Sequence, residues 1–282
     1  MDAVVEYSVD GQVARLTLNS PHNRNALSTA LVGQLHQGLR DAAADPAVRL
    51  VVLGHTGGTF CAGADLSEAG GGDPRGDREG GAAGRGGTPA ELGDGSPPSA
   101  FDAATARARE MTALLRAIVS SPLPVVGAID GHVRAGGFGL VGACDIVIAG
   151  PRSTFALTEA RIGVAPAIIS LTLLPKLSAR AAARYYLTGE TFDAAVAAEI
   201  GLVTIAADDV DAAVAKVVAD VSRGSPQGLA ASKALTTAAI LDGFDRDAER
   251  LTEESARLFI SDEAREGMLA FLQKRPPSWA NV

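Results

Sequence analysis

The sequence predicts an α/β fold in which strand-and-helix units come first and helices alone come last. Three observations carry this. Short runs with strand character recur as far as residue 157, with helical stretches between them. From Ser178 onward the apolar spacing is helical almost throughout. Two glycine turns, Phe60-Cys61-Ala62-Gly63-Ala64-Asp65-Leu66 and Arg134-Ala135-Gly136-Gly137-Phe138-Gly139-Leu140, each stand between an apolar stretch and a helix start.

In order along the chain, Val4-Val5-Glu6-Tyr7-Ser8-Val9 and Val13-Ala14-Arg15-Leu16-Thr17-Leu18 alternate as strands, and Asp10-Gly11 between them signals a hairpin. Asn19-Ser20-Pro21-His22-Asn23 reads as a loop. Ser28 is a suitable N-cap for a helix with Leu31, Leu35, Leu39 and Ala43 on one face. The strand at 49–54 is expected to lead into the first glycine turn. Residues 69–98 are rich in Gly, Pro and charge. With almost no large apolar side chain they cannot offset their ordering entropy, so a mobile insert is expected, as a lid or a passive loop. Residues 99–120 form a helix with Ala104, Ala108, Met111, Leu115 and Ile118 on one face. The strand at 124–129, the second turn, a short helix to Ala143 and strands at 145–149 and 154–157 follow. Thr191-Phe192-Asp193 caps one later helix, Gly201-Leu202-Val203 interrupts, and a last helix over 262–272 ends at Lys274-Arg275-Pro276-Pro277. The division this suggests is a core over 1–200, carrying the insert at 69–98, and a helical region over 201–282.

Bulk properties exclude several function classes. The 282 residues carry a formal charge of −8, the wrong sign for nucleic acid, whose phosphates need a basic surface. No apolar run reaches the ~18–20 residues of a membrane helix. The N-terminus lacks the basic-then-apolar pattern of a signal peptide. Cys61 and Cys144 have neither disulfide-framework nor metal spacing and read as small buried apolar residues. A soluble cytoplasmic protein with no metal site is expected.

The chemistry is concentrated in the turns. Unpaired N–H groups at a helix start are preorganised donors for negative charge, and two that converge make an oxyanion hole. Glu159, at the end of a short apolar strand, is the next candidate. A partly desolvated glutamate has a raised proton affinity and can act as general acid or base, although a glutamate at a helix start also serves as a dipole partner.

Together with Glu159, the two turns, Pro21-His22-Asn23-Arg24-Asn25-Ala26-Leu27-Ser28, Ala143-Cys144-Asp145-Ile146, Leu187-Thr188-Gly189-Glu190 and Ala197-Ala198-Glu199-Ile200-Gly201-Leu202-Val203 resemble the enoyl-CoA hydratase/isomerase, or crotonase, superfamily. The likeness runs from about Val4 to Lys274-Arg275-Pro276. It implies a spiral of ββα units followed by a helical trimerisation region, in a homotrimer or dimer of trimers. It implies an acyl-CoA substrate and no metal or redox cofactor. Ala64 and Gly136 match the two amides that hold the thioester oxygen. Ala62, Asp65 and Leu66 match the stretch that lines the adenine, and Arg24 and Ala26 lie in the segment that approaches the CoA phosphates. Lys274 matches a position that reaches a neighbouring subunit's CoA. For Arg24 and Lys274 a solvated surface charge is the alternative.

One departure stands out. Hydratases of this family carry a second glutamate three residues after the oxyanion-hole glycine, and here that position is Gly139. Glu159 is kept. A hydratase adding water to a 2-enoyl-CoA, branched or not, would then use Glu159 for both proton roles. Ala165-Pro166-Ala167-Ile168-Ile169-Ser170 resembles the run of branched or carboxylated enoyl-CoA hydratases and tips the reading that way. An isomerase shifting a 3-enoyl bond with Glu159 alone, and a non-catalytic acyl-CoA binder, are the alternatives. Arg134 either meets a substrate carboxylate or satisfies a neighbour. His132 reads as a structural histidine, Asp65 as a helix cap, and Glu68 as facing solvent or the insert.

Overall fold

The computed structural model describes residues 3–65, 68 and 99–280. Leu66 and the insert at 69–98 lie outside the described residues, as does the helix that Asp65 is expected to cap. Strands β1 (Val5–Asp10) and β2 (Val13–Leu18) form the expected antiparallel hairpin. Asp10 pairs with Val13, so the turn is Gly11-Gln12, one residue later than the sequence suggests. Gly11 carries it at φ +57°, a left-handed conformation that glycine adopts without a Cβ penalty. Helix α1 (Thr29–Ala44) begins at Ser28, whose hydroxyl accepts from Leu31 N–H at 3.2 Å. Its buried face ends on Ala42 rather than Ala43, because a 3.6-residue period places the next core position three residues after Leu39.

The chain then repeats one move. It lays a strand in a large sheet and follows it with a three-residue strand in a small one. The pairs are β3 (Leu50–His55) with β4 (Thr59–Cys61), β5 (Val125–Ile129) with β6 (His132–Arg134), and β7 (Ile146–Ala149) with β8 (Thr154–Ala156). The glycine turns therefore do not follow the large-sheet strands directly, as the sequence suggests. Each follows a strand too short to show a period of its own. Helix α2 (Ala100–Ser120) precedes β5 and opens with a capping box between Ser99 and Asp102. Helix α3 (Gly137–Ala143) follows the second turn.

After β8 come a 3₁₀ turn over Glu159–Ile162, α4 (Ser170–Leu173), α5 (Ala179–Thr188), β9 (Phe192–Asp193), α6 (Ala194–Glu199), β10 (Ile205–Ala206), α7 (Val210–Val221), α8 (Pro226–Phe259) and α9 (Asp262–Leu272). Asp193 caps α6 as expected, accepting from Val196 N–H at 2.9 Å. The large sheet has the order β1-β2-β3-β5-β7-β10 and the small one β4-β6-β8-β9. β10, though late in the chain, extends the large sheet in parallel with β7. The architecture is the mixed α/β core with parallel strands and C-terminal helices that the sequence predicts.

Two contacts fix the parts that bear the site. Phe138 of α3 stands edge-on to Phe155 of β8 at 5.9 Å and to Phe192 of β9 at 6.2 Å, geometries favoured by the ring quadrupoles. The long helix α8 is held by Lys233, which is 6% exposed. Its ammonium meets Asp145 Oδ2 at 2.8 Å and donates to the carbonyls of Ile118 at 2.9 Å and Leu123 at 3.0 Å. Val125 N–H donates to the same carboxylate at 2.7 Å. A buried cation is tolerable only when its protons are accepted in this way. Among the described residues no helix is long and apolar enough to cross a membrane.

Candidate active site

β4, β6 and β8 run parallel, β4 with a one-residue irregularity between Thr59 and Cys61, and Cys61 lies beside Val133 and Arg134 beside Ala156. Their C-terminal ends therefore lie side by side. The segments that leave those ends are the first glycine turn, the second glycine turn and the stretch carrying Glu159. This is how three motifs far apart in sequence come to one place, at the end of the strands where α/β sheets bind ligands.

The first turn is fixed from both sides. Leu27 N–H donates to Gly63 O at 2.8 Å, Asp65 N–H to Leu27 O at 3.4 Å, and Ala62 N–H to Arg24 O at 3.1 Å. Arg24 and Asn25 are both left-handed, at φ 59° and 53°. Asn25 is buried and secures that strained corner: its Oδ1 accepts from Ser20 N–H at 2.7 Å, and its Nδ2 donates to the carbonyls of Thr56 at 3.1 Å and Thr59 at 2.8 Å. Asparagine tolerates the left-handed region better than most residues, which suits it to this role.

The second turn packs against the first. Gly63 has φ +93°, and a Cβ there would stand 2.7 Å from Ala135 Cβ and 3.3 Å from Gly136 N. A Cβ on Gly136 would meet Leu27 Cδ1 at 2.9 Å and lie 3.8 Å from Ala64 N. Gly63 is required by its left-handed backbone and by the close approach of Ala135, and a side chain on Gly136 would press on Leu27. Among the described residues, neither the Ala64 nor the Gly136 N–H has a hydrogen-bond acceptor. Gly136 opens α3 without a side-chain cap. Among the described residues the two amides have no acceptor, and they lie on turns packed against each other.

Glu159 is 7% exposed, and its Oε2 has no hydrogen-bond partner among the described residues. Burial pushes its carboxyl up to about 7, against a smaller lowering by its own backbone N–H. A glutamate so placed is poised between acid and base at neutral pH. The position of the missing second glutamate is walled by hydrocarbon. A Cβ on Gly139 would meet Ile169 Cγ2 at 2.6 Å, Leu115 Cδ1 at 3.0 Å and Met111 Cε at 3.2 Å. Met111 and Leu115 come from the apolar face of α2.

The remaining sequence candidates divide. Ala26 is buried beside the first turn, and Ala62 is partly buried within it. Asp65 accepts from Asn23 Nδ2 at 3.3 Å. Arg24 and Lys274 carry exposed side chains, and Lys274 is left-handed at φ 53°. Arg134 turns back along the sheet: its guanidinium donates to Thr154 O at 2.7 Å, Thr154 Oγ1 at 2.9 Å and Val133 O at 2.8 Å. Its donors are therefore held at the start of β8, away from the turns. His132 shares the same threonine, at 2.8 Å. Glu68, read as facing solvent or the insert, is exposed but anchored. It accepts from Thr29 N–H and Oγ1–H, both at 3.0 Å, and so satisfies a free amide at the start of α1. The thiols of Cys61 and Cys144 are pushed up to about 12 by burial and are inert. Asn25 and the hydrocarbon wall were not singled out by sequence reasoning. A polar residue in a motif beside a glycine turn is the one signal that pointed to Asn25.

Comparison with known proteins gives the family. The enoyl-CoA hydratase/isomerase family model matches residues 8–83 and 85–281. Enoyl-CoA hydratase EchA19 of Mycobacterium tuberculosis is 32% identical over 292 aligned positions, covering 99% of this chain and 97% of that protein. A crystal structure of an enoyl-CoA hydratase from Mycobacterium avium is 70% identical with a TM-score of 0.85, covering 99% of this chain and 100% of that one. An enoyl-CoA hydratase/isomerase from Marinobacter aquaeolei is 28% identical with a TM-score of 0.70, covering 99% and 100%. Fold and sequence relatives thus agree, and the chain belongs to the enoyl-CoA hydratase/isomerase family, with the crotonase fold.

Proposed function

We propose that the protein hydrates a 2-enoyl-CoA, including branched ones, with Glu159 as its single acid–base carboxylate. The observation that carries this reading is the buried, unpartnered Oε2 of Glu159, with a carboxyl poised at about 7, at the strand ends that bear the free Ala64 and Gly136 amides. In this reading the two amides take the thioester oxygen and stabilise the charge that develops as C2 gains electron density. Glu159 accepts a proton from water as its oxygen bonds C3, then returns a proton to C2. One carboxylate serves both directions because its proton affinity matches neutral pH. Exposed Arg24 and Lys274 are suited to the CoA phosphates, Lys274 from a neighbouring subunit, and the Ala62–Leu66 stretch to the adenine. The exposed apolar side chains Leu187, Leu235 and Phe271 suit a homotrimer or dimer of trimers. No metal or redox group is needed for this chemistry.

The hydrocarbon around Gly139 favours a second reading, isomerisation of a 3-enoyl-CoA, which needs no water and one carboxylate. A panel of straight and branched CoA thioesters followed by mass and by the ultraviolet absorbance of the conjugated thioester separates the two. Hydration predicts a gain of one water and loss of absorbance with 2-enoyl-CoA. Isomerisation predicts unchanged mass and a rise in absorbance with 3-enoyl-CoA. Binding with no reaction anywhere in the panel would contradict both and leave an acyl-CoA-binding protein.

A further inference from the structure

A water that attacks a carbon has two O–H bonds to place, and its lone pair faces the carbon only if both are accepted elsewhere. Glu159 accepts one. Gly139 offers nothing for the other. A hydroxyl pair, Ser170 and Tyr186, lies on elements packed against Gly139 and the turn carrying Glu159. Ser170 Oγ–H donates to Pro166 O at 2.7 Å. With that proton committed, the 3.2 Å contact between Ser170 Oγ and Tyr186 Oη must have the phenol as donor. Tyr186 Oη is then left with lone pairs only.

Its placement is fixed by packing. Tyr186 sits on α5, and the end of α5 is bound to the turn carrying Glu159: Arg161 donates to Thr188 O at 2.8 and 3.1 Å, and a Cβ on Gly189 would stand 2.9 Å from Leu157 O. Ser170 directly follows Ile169, whose Cγ2 walls Gly139. Burial first, and the charge of Glu159 in addition, push the Tyr186 phenol up to about 12 in spite of its bond to Ser170. It stays protonated at neutral pH, so it can orient a water but not deprotonate one.

We propose that Tyr186 Oη, held as a pure acceptor by Ser170, is the second water-holding group that replaces the missing carboxylate. The proposal rests on the hydratase reading above. One water O–H points to Glu159 and the other to Tyr186. The water oxygen bonds C3, the C2–C3 π pair moves toward the thioester oxygen at Ala64 and Gly136, and Glu159 takes the first proton. Glu159 then delivers a proton to C2 as the thioester carbonyl re-forms. Tyr186 keeps its own proton throughout, and the net change is addition of one water.

The test pairs hydration with a reaction that needs no added water, exchange of the C2 hydrogen of a saturated acyl-CoA in deuterated solvent, which uses only Ala64, Gly136 and Glu159. Tyr186→Phe is expected to lower kcat for hydration by about tenfold or more, the worth of one orienting hydrogen bond, with KM and C2 exchange unchanged. Ser170→Ala lets the phenol hydrogen turn toward the water, so hydration falls there too, and the double variant is no slower than Tyr186→Phe. Equal loss of hydration and exchange, or loss of neither, in both single variants would overturn the role of Tyr186 while leaving the hydratase reading standing. A wild type that performs no hydration would overturn that reading, and the role of Tyr186 with it.

Discussion

Glu159 and Lys233 are buried to the same degree, at 7% and 6% exposure, and are treated in opposite ways. Lys233 has a carboxylate and two carbonyls around its ammonium. Glu159 has an oxygen with no partner among the described residues. The fold thus surrounds a buried charge with partners where the charge joins α8 to the core, and withholds them at the strand ends. An unpartnered carboxyl lies above its ordinary proton affinity and is free to exchange protons, whereas a fully paired ammonium has nothing left to offer. Burial alone does not mark a functional residue. Burial without a partner among the described residues is what sets Glu159 apart from Lys233.

The largest effect that sharpens this comparison is on rate. Glu159→Gln keeps the shape and removes proton transfer, so kcat is expected to fall by about 10²–10⁴-fold in the thioester assay. Retained turnover in that variant would remove Glu159 from the chemistry. On the other side, Lys233→Ala strands Asp145 without its cation. A loss of about 3–5 kcal/mol is expected in denaturant unfolding, and a change under 1 kcal/mol would mean that the pair is not structural.

The next effect has a sign that the comparison fixes. The folded carboxyl of Glu159 lies at about 7, above its ordinary 4.5. Its contribution to stability is therefore fully present below pH 4.5 and is lost as pH rises through 7. The shift corresponds to about 3 kcal/mol. Glu159→Gln, which cannot ionise, should accordingly gain stability over wild type between pH 5 and 8, and equal pH slopes for the two proteins would contradict the burial argument. Smallest is Gly139→Ala. The added methyl meets Ile169, Leu115 and Met111, and overpacking of this kind costs about 1–3 kcal/mol. A neutral result in thermal unfolding would show that the hydrocarbon wall yields.

What could be read from the sequence follows what is local. Both glycine turns, the Ser28 cap and Glu159 were legible because each is a short pattern with its own physical reason. β4 and β6 were not, since three residues cannot display a period of two. The Lys233–Asp145 pair was invisible because nothing near either residue refers to the other. Gly139 was legible as a missing carboxylate. That Ile169, from a separate loop, fills the space required the folded chain. The guanidinium of Arg134, a possible substrate contact in the sequence, is instead taken up by Thr154 on the neighbouring strand.

The pH dependence of kcat/KM for hydration tests the central claim most directly. With Glu159 as the single base, the rate should rise with pH through an apparent pKa of about 7, the value at which burial holds the carboxyl, and then level off. A rate constant across pH 5 to 8 would contradict the assignment of proton transfer to this one unpartnered carboxylate.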